Sequence, residues 1–231
     1  ENKNFYREKS KKITDKHFFM RHLSELDFFE LYIDSHIDNS NNIFCKKGFI
    51  SSKKCLNQIK KNNPDIIIVY GSSIIKGSLI NDFKNKIINV HLGLSPYYRG
   101  SGTNFYPILN SKPEYIGVTF MFLDKGIDTG KIIHQQRANI NSNDNIHSIG
   151  NRLILDMAKT LSKLIKNFNK IKLSKFSPKS KPRYFYKKND FHSSLIYKIN
   201  DILNKNLLKK YLLNKNKRDK SVPIFKQKWI K

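Results

Sequence analysis

The chain reads as an α/β protein built on a doubly wound, mostly parallel sheet, and three observations lead there. Pro64-Asp65 introduces Ile66-Ile67-Ile68-Val69-Tyr70, an unbroken run that suits a strand buried on both faces. Two more strand-length apolar runs follow, Ile87–Val90 and Val118–Leu123, each leading into a turn-rich polar segment. Then Ile146, Ile149, Leu153, Met157, Leu161, Leu164 and Phe168 recur at spacings of three and four, the clearest amphipathic helix in the chain.

Taken in order, residues 5–31 place Phe5, Phe18, Phe19, Met20, Leu23, Leu26, Phe28, Phe29 and Leu31 at spacings that suit a helix with an apolar face, with His17, Arg21 and His22 on its solvated side. No opening strand is visible before it. A doubly wound sheet normally starts with one, so the chain is expected to be N-terminally incomplete. The sheet edge would then be exposed or completed by a partner, such as a second copy in a homodimer. Asn39–Asn42 is a loop and Cys55–Asn62 a short basic helix. Gly71-Ser72-Ser73 closes the first strand, and a helix over Gly77–Phe83 bridges back to Ile87–Val90 as a parallel crossover. Thr103–Leu109 makes a short helix, and Val118–Leu123 pairs with Lys131–Gln136.

Asn143 is read as the N-cap of the long helix. Gly150 inside it costs about 1 kcal/mol against Ala unless close packing on the sheet requires it. Pro178 and Pro182 mark a linker, after which Leu195, Ile199, Ile202, Leu203, Leu207, Tyr211 and Leu212 give a second amphipathic helix with a basic outer face. The expected division is a catalytic domain over 1–172 and a basic, partly helical extension over 173–231.

Composition bounds the function. The 231 residues suffice for one α/β domain and a modest appendage, and the longest apolar run is far short of a membrane span. Cys45 and Cys55 make neither a metal-ligand cluster nor a disulfide framework, so a reducing cytoplasm is the default and no metal is expected. The net charge of +26 would suit an anionic partner. Residues 159–231 hold 22 Lys/Arg against 3 Asp and no Glu, so the excess is concentrated in the tail. A Lys, Asn and Ile surplus also follows from A·T-rich coding DNA, and a solvated basic face is favoured over nucleic-acid binding.

The chemistry lies between Ile87 and Gln135. Asn89 and His91 are two apart on an extended segment, so their side chains leave on one side of it. A carboxamide donor and an imidazolium can both bind an oxygen that becomes negative in acyl transfer. Asp128, in Gly-Ile-Asp-Thr-Gly, can orient the imidazole or take a proton through water. Ser95 is outside any G-x-S-x-G elbow and Ser101 is in a Gly-Ser-Gly run, so no covalent acyl-enzyme is expected. Taken singly, Asn-Val-His and Asp-Thr-Gly are ordinary turns.

In order they are more specific. Asn89-x-His91, Leu94-Ser95-Pro96-Tyr97-Tyr98-Arg99-Gly100, Gly117-Val118-Thr119 and Asp124-Lys125-Gly126-Ile127-Asp128-Thr129-Gly130 together resemble the formyltransferase family that uses 10-formyltetrahydrofolate. That family includes glycinamide ribonucleotide, methionyl-tRNA and sugar-amine formyltransferases, and its fold is Rossmann-like. The resemblance runs from about Pro64 to about Asp156. It implies that Asn89 and His91 polarise the formyl oxygen and that Asp128 positions His91 and helps remove the amine proton. It further implies donor binding by Leu94, Ser95, Pro96, Asp124, Gly126 and Ile127, and acceptor binding by Tyr98, Arg99, Gly100, Thr103 and Asn104. Gly93 and Ser95 stand where the family usually has Ser and Leu, which leaves the acceptor open.

The function expected is formyl transfer to a primary amine of a small phosphorylated or nucleotide-linked acceptor, an amino sugar or glycinamide ribonucleotide. A methionyl-tRNA acceptor ranks lower because the tail is too short for a full second domain. The competing reading is a basic nucleic-acid-binding module on a decayed α/β core.

Overall fold

The computed structural model describes residues 2–174 and 183–230. The chain opens with a long helix, α1 (Asn2–Asp34), and a loop leads to α2 (Lys53–Lys61), whose N-cap Ser52 accepts from Cys55 N. Next come β1 (Ile67–Tyr70), α3 (Ser78–Asp82), β2 (Ile87–His91), the short β3 (Tyr98–Gly100) and α4 (Tyr106–Leu109). The hairpin strands β4 (Gly117–Phe122) and β5 (Ile132–Arg137) precede α5 (Ile146–Lys166). Beyond the linker reading at Pro178 and Pro182, which falls outside the described residues, lie β6 (Tyr184–Tyr186), α6 (Ser194–Asn204), α7 (Leu207–Leu213) and α8 (Lys215–Lys220).

The main sheet has the order β1-β2-β4-β5. The α/β class stands, and the sheet is mixed: β1 and β2 are parallel across α3, whereas β2–β4 and β4–β5 are antiparallel. Nine residues separate β4 from the start of its hairpin partner, too few for a crossover, so the reversal is dictated by connection length. Among the described residues no strand precedes β1, which forms one edge of the sheet. The β5 edge is covered instead: Gln135 N donates to Phe225 O at 2.7 Å, and Gln227 N to His134 Nδ1 at 3.0 Å.

Alternation along β2 divides the core. Ile88 and Val90 point to a cluster with Val118, Phe120 and Ile133 of the sheet, Ile149, Leu153, Met157 and Leu164 of α5, and Ile199, Leu207, Leu208 and Tyr211 of α6 and α7. Ile87 points the other way, joining Val69 with Leu56 of α2 and Leu79, Ile80 and Phe83 around α3. Each such fully buried aliphatic side chain contributes about 2 kcal/mol of transfer free energy.

Four local expectations are corrected. The cap of α5 is Asn145, not Asn143, because the Asn145 carboxamide accepts from His147 N and Ser148 N while the Ser148 hydroxyl accepts from Asn145 N. Asn143 only accepts a hydroxyl bond from Ser142. Gly150 has open space where a Cβ would stand, so the sheet makes no close approach there. The single helix expected over 195–212 is two, α6 and α7, broken at Asn206, whose φ of +60° leaves the right-handed region. The α1 helix forms, yet Phe18, Phe19, Met20, Leu23, Leu26 and Leu31 of its apolar set are exposed.

Candidate active site

β2 and β4 are antiparallel, so their carboxyl ends lie at opposite ends of the sheet, and the expected meeting of two strand ends is not how the site forms. The segment after β4 folds back instead. Phe122 N donates to Lys131 O at 3.0 Å, closing residues 123–130 into a loop, and Gly130 packs so tightly on Phe122 O that a Cβ would fall 1.5 Å from it. The Asp124 carboxylate stiffens the loop by accepting from Gly126 N at 3.0 Å and from the Thr129 hydroxyl at 2.6 Å. Asp128 then takes a left-handed φ of +53°, tolerable for Asp, and its carboxylate is carried over β2.

There the three residues singled out from the sequence meet. Asp128 Oδ1 accepts from Asn89 Nδ2 at 3.2 Å, and Oδ2 lies 3.4 Å from His91 Nδ1 and accepts from Gly100 N at 3.1 Å. The other imidazole nitrogen, Nε2, faces the Tyr98 carbonyl oxygen at 3.1 Å. A carbonyl accepts only, so Nε2 carries the hydrogen. In the neutral ring Nδ1 therefore presents its lone pair to Asp128, and on protonation it becomes a second donor to the carboxylate. The His91–Asp128 contact is thus a place where one proton can be held.

The 92–104 segment supports this pair from below. The Ser95 hydroxyl donates to Asp128 O at 3.2 Å, fixing the loop from the opposite side, and Ser95-Pro96 is cis. Ser95 N donates to Thr119 Oγ1 at 3.0 Å, Thr119 Oγ1 to Gly93 O at 2.6 Å, and Gln135 Nε2 to Ser95 O at 2.7 Å. At Gly93 a Cβ would stand 2.5 Å from His91 Nε2, so the departure to glycine lets the main chain pass beneath the imidazole. Thr103 donates to Leu92 O, and Asn104 Oδ1 accepts from Gly117 N at 3.1 Å.

Of the residues read as donor-binding, Ile127 is exposed, Asp124 and Gly126 shape its loop, and Leu94 and Ser95 are fully buried beneath the pair. Among those read as acceptor-binding, Gly100 faces Asp128, Thr103 and Asn104 hold main-chain groups, and Arg99 is buried. Burial pulls Arg99 below its ordinary pKa, and the charges of Asp128 and Asp124 oppose the shift. The Tyr98 ring is fully buried, stacked on Tyr184 at 4.6 Å, so only its main-chain carbonyl reaches the site. A separate cavity of about 350 Å³ lies between α1, α5 and α6, lined by residues such as His17, His147 and Tyr197. None of its lining residues belongs to this cluster.

Sequence reasoning missed the main-chain partners, Tyr98 O and Gly100 N, which have no side-chain signature. It quoted Thr119 within a motif without a role and gave none to Gln135; the signal of both was a polar residue inside a buried strand segment. The second sheet was missed as well: β3 pairs in parallel with β6, which arrives from residue 184.

Comparison with known proteins agrees with this geometry. The family model described as formyl transferase matches residues 37–165, more than half of the chain. Methionyl-tRNA formyltransferase of Finegoldia magna is 32% identical over 123 residues, covering 52% of this chain and 39% of that protein. The namesake from Desulforamulus reducens is 39% identical over 108 residues, covering 46% and 34%. The chain thus spans about two-fifths or less of the length of these curated relatives. The formyltransferase PseJ from Anoxybacillus kamchatkensis, solved with a UDP-linked formamido sugar and tetrahydrofolate, is 27% identical with a TM-score of 0.50, covering 71% of this chain and 80% of that one. Phosphoribosylglycinamide formyltransferase from Anaplasma phagocytophilum, at 20% identity and TM-score 0.54, shares the fold over 65% of this chain and 76% of its own. A matched family model across residues 37–165, with the Asn89, His91 and Asp128 cluster inside it, makes this chain a member of the formyl transferase family.

Proposed function

We propose that the protein transfers a formyl group from 10-formyltetrahydrofolate to a primary amine of a small phosphorylated or nucleotide-linked acceptor, with Asn89, His91 and Asp128 as the catalytic residues. The observation that carries this reading is the Asp128 carboxylate held between the Asn89 amide and the His91 imidazole. The residues around it suit a folate: exposed Ile127 offers an apolar surface, and the main chain of the Asp124–Asp128 loop offers hydrogen-bonding edges. The folate supplies the formyl group, carried on a nitrogen that leaves.

Asn89 Nδ2 has two hydrogens and commits one to Asp128. The second is a donor for the formyl oxygen as attack of the amine makes it negative. Nε2–H of His91 is the other donor, shared with Tyr98 O. The proton lost by the amine as the new C–N bond forms is accepted at the His91–Asp128 contact, directly or through water, and is returned to the leaving nitrogen as the old C–N bond breaks. One oxyanion donor of this kind is worth about 3–4 kcal/mol in other enzymes.

The test is single-turnover transfer from 10-formyltetrahydrofolate to a UDP-linked amino sugar, to glycinamide ribonucleotide and to methionyl-tRNA. His91→Ala is expected to lower the rate by about 100-fold or more while donor affinity changes only a few-fold, since the group acts on charge that develops in the transition state. Undiminished turnover in the variant would remove His91 from the mechanism. The names of the curated relatives favour a second reading, methionyl-tRNA as acceptor, and the basic tail is compatible with it. A steep loss of rate with salt on that substrate supports the tRNA reading, because phosphate contacts release counterions.

A further inference from the structure

We propose that the segment 222–227 is a strap that positions the Asp128 carboxylate, with Gln135 and Tyr97 as the positioning residues that carry its hold to the loop beneath His91 and Asp128. The proposal rests on the formyl-transfer reading for the reaction it serves, whereas the hold on Asp128 is a property of the fold with a readout of its own.

The strap has no regular secondary structure and is anchored at both ends. At one end Val222 is 1% exposed in a cluster with Tyr98, Tyr106 and Tyr115, and its carbonyl oxygen accepts from Arg137 Nη2. At the other end Gln227 is buried, donating through Nε2 to Ile133 O at 2.6 Å and through its main-chain N to His134 Nδ1 at 3.0 Å. Between these anchors the strap meets the supports of the site twice. Phe225 makes two bonds with Gln135, its O accepting from Gln135 N at 2.7 Å and its N donating to Gln135 Oε1 at 3.1 Å. Pro223 O accepts from the Tyr97 hydroxyl at 2.8 Å.

The buried Gln135 amide fits only one way round. Phe225 N only donates, so it must face Oε1; the Ser95 carbonyl only accepts, so it must face Nε2, which lies 2.7 Å away. The remaining Nε2 hydrogen goes to Thr119 Oγ1 at 3.0 Å, which itself accepts from Ser95 N at 3.0 Å and donates to Gly93 O at 2.6 Å. One carboxamide thus fixes Ser95 on both sides, its carbonyl directly and its N–H through Thr119. The effect reaches Asp128, whose main-chain O accepts from the Ser95 hydroxyl at 3.2 Å, and His91, beneath whose ring Gly93 passes. Tyr97 ties the same loop to the strap one residue before Tyr98, whose carbonyl faces His91 Nε2 at 3.1 Å. The strap lies outside residues 37–165, so the matched family segment receives this hold from elsewhere in the chain. Misplacing reacting groups by about 1 Å can lower a rate about a hundredfold.

The experiment combines amide hydrogen exchange by NMR with single-turnover formyl transfer, both on the full chain. Gly100 N donates to Asp128 Oδ2 at 3.1 Å, so its exchange reports how firmly the carboxylate is held, with no substrate needed. The Leu153 amide in α5 reports opening of the whole core. Gln135→Met keeps the length of the side chain and removes its hydrogen bonds. It is expected to speed exchange at Gly100 at least tenfold more than at Leu153 and to lower the transfer rate at least tenfold. Tyr97→Phe should change both several-fold in the same directions. Leu208→Ala, a core change that touches neither the strap nor the loop, should speed exchange at the two amides alike and keep the transfer rate below its melting transition. Should Gln135→Met lose its melting transition, Tyr97→Phe decides by itself. Unchanged exchange at Gly100, equal acceleration at Gly100 and Leu153, or faster Gly100 exchange with undiminished transfer in the variants overturns the proposal. A wild type that formylates none of the three acceptors named above strikes the formyl-transfer reading instead, and the Gly100 exchange then still decides whether the strap holds Asp128.

Discussion

Asp128 has three donors to serve: Asn89 Nδ2 on one oxygen, Gly100 N and, once protonated, His91 Nδ1 on the other. Its left-handed φ alone would accept Asn, and a turn reading treats the two residues as equivalent. The surroundings do not. An amide NH2 in place of either oxygen would face a donor, Gly100 N in one orientation and Asn89 Nδ2 in the other. Asp128→Asn is therefore expected to cost about 1–2 kcal/mol of stability through one unsatisfied group, and to lose most formyl transfer because the amide cannot accept a proton. Melting curves and single-turnover rates across pH check both parts. Full activity in the Asn variant would reduce Asp128 to a loop residue.

Within α5, Gly150 was expected to be justified by tight packing, and the space around it is open. Gly150→Ala should then raise stability by about 1 kcal/mol, since nothing is gained from the missing Cβ and helix propensity is lost. A rise of a few degrees in the thermal midpoint would show it, and an unchanged or lower midpoint would mean that the helix surface is covered by something else. On β5, His134 is 3% exposed and its Nδ1 accepts from Gln227 N, so burial, aided by the charge of Lys226, holds its pKa down at about 4. The folded pKa lies below the ordinary 6.5, so the unfolded chain binds more protons between the two. This contribution is complete above pH 6.5 and lost as the pH falls to 4, by up to about 3 kcal/mol. His134→Asn, whose side-chain oxygen can accept from Gln227, should show a shallower acid loss in denaturant titrations. His147, also held at about 4 by burial, is present in both proteins and leaves the difference between them intact.

At the scale of the molecule, the basic tail is also core. Ile199, Leu207, Leu208 and Tyr211 pack in the cluster that contains Ile88 and Val90 of the site-bearing strand. Leu208→Ala is expected to cost about 3 kcal/mol and to lower one cooperative transition reported by far-ultraviolet circular dichroism and by tetrahydrofolate binding alike. Two transitions, with folate binding untouched by the first, would mean that the C-terminal helices melt by themselves. No described helix is long and apolar enough to cross a membrane.

Hydrophobic periodicity was enough for the strands at 67–70, 87–91 and 117–122 and for α5, since each buries a continuous stripe whose spacing is local information. The order and spacing of Asn89, His91 and the Gly-Ile-Asp-Thr-Gly turn were likewise enough to nominate the site. What the tertiary structure alone decided is how they meet. The antiparallel β4 sends its loop away from His91, and a return path fixed by Gly130, Asp124 and the Ser95 hydroxyl brings Asp128 back. The second imidazole partner is a main-chain carbonyl, and β6 comes from a segment more than eighty residues along the chain from the strand it joins. Main-chain groups are the same at every position of a sequence, and a pairing between distant segments leaves no periodic trace, so both become visible only when the chain is folded.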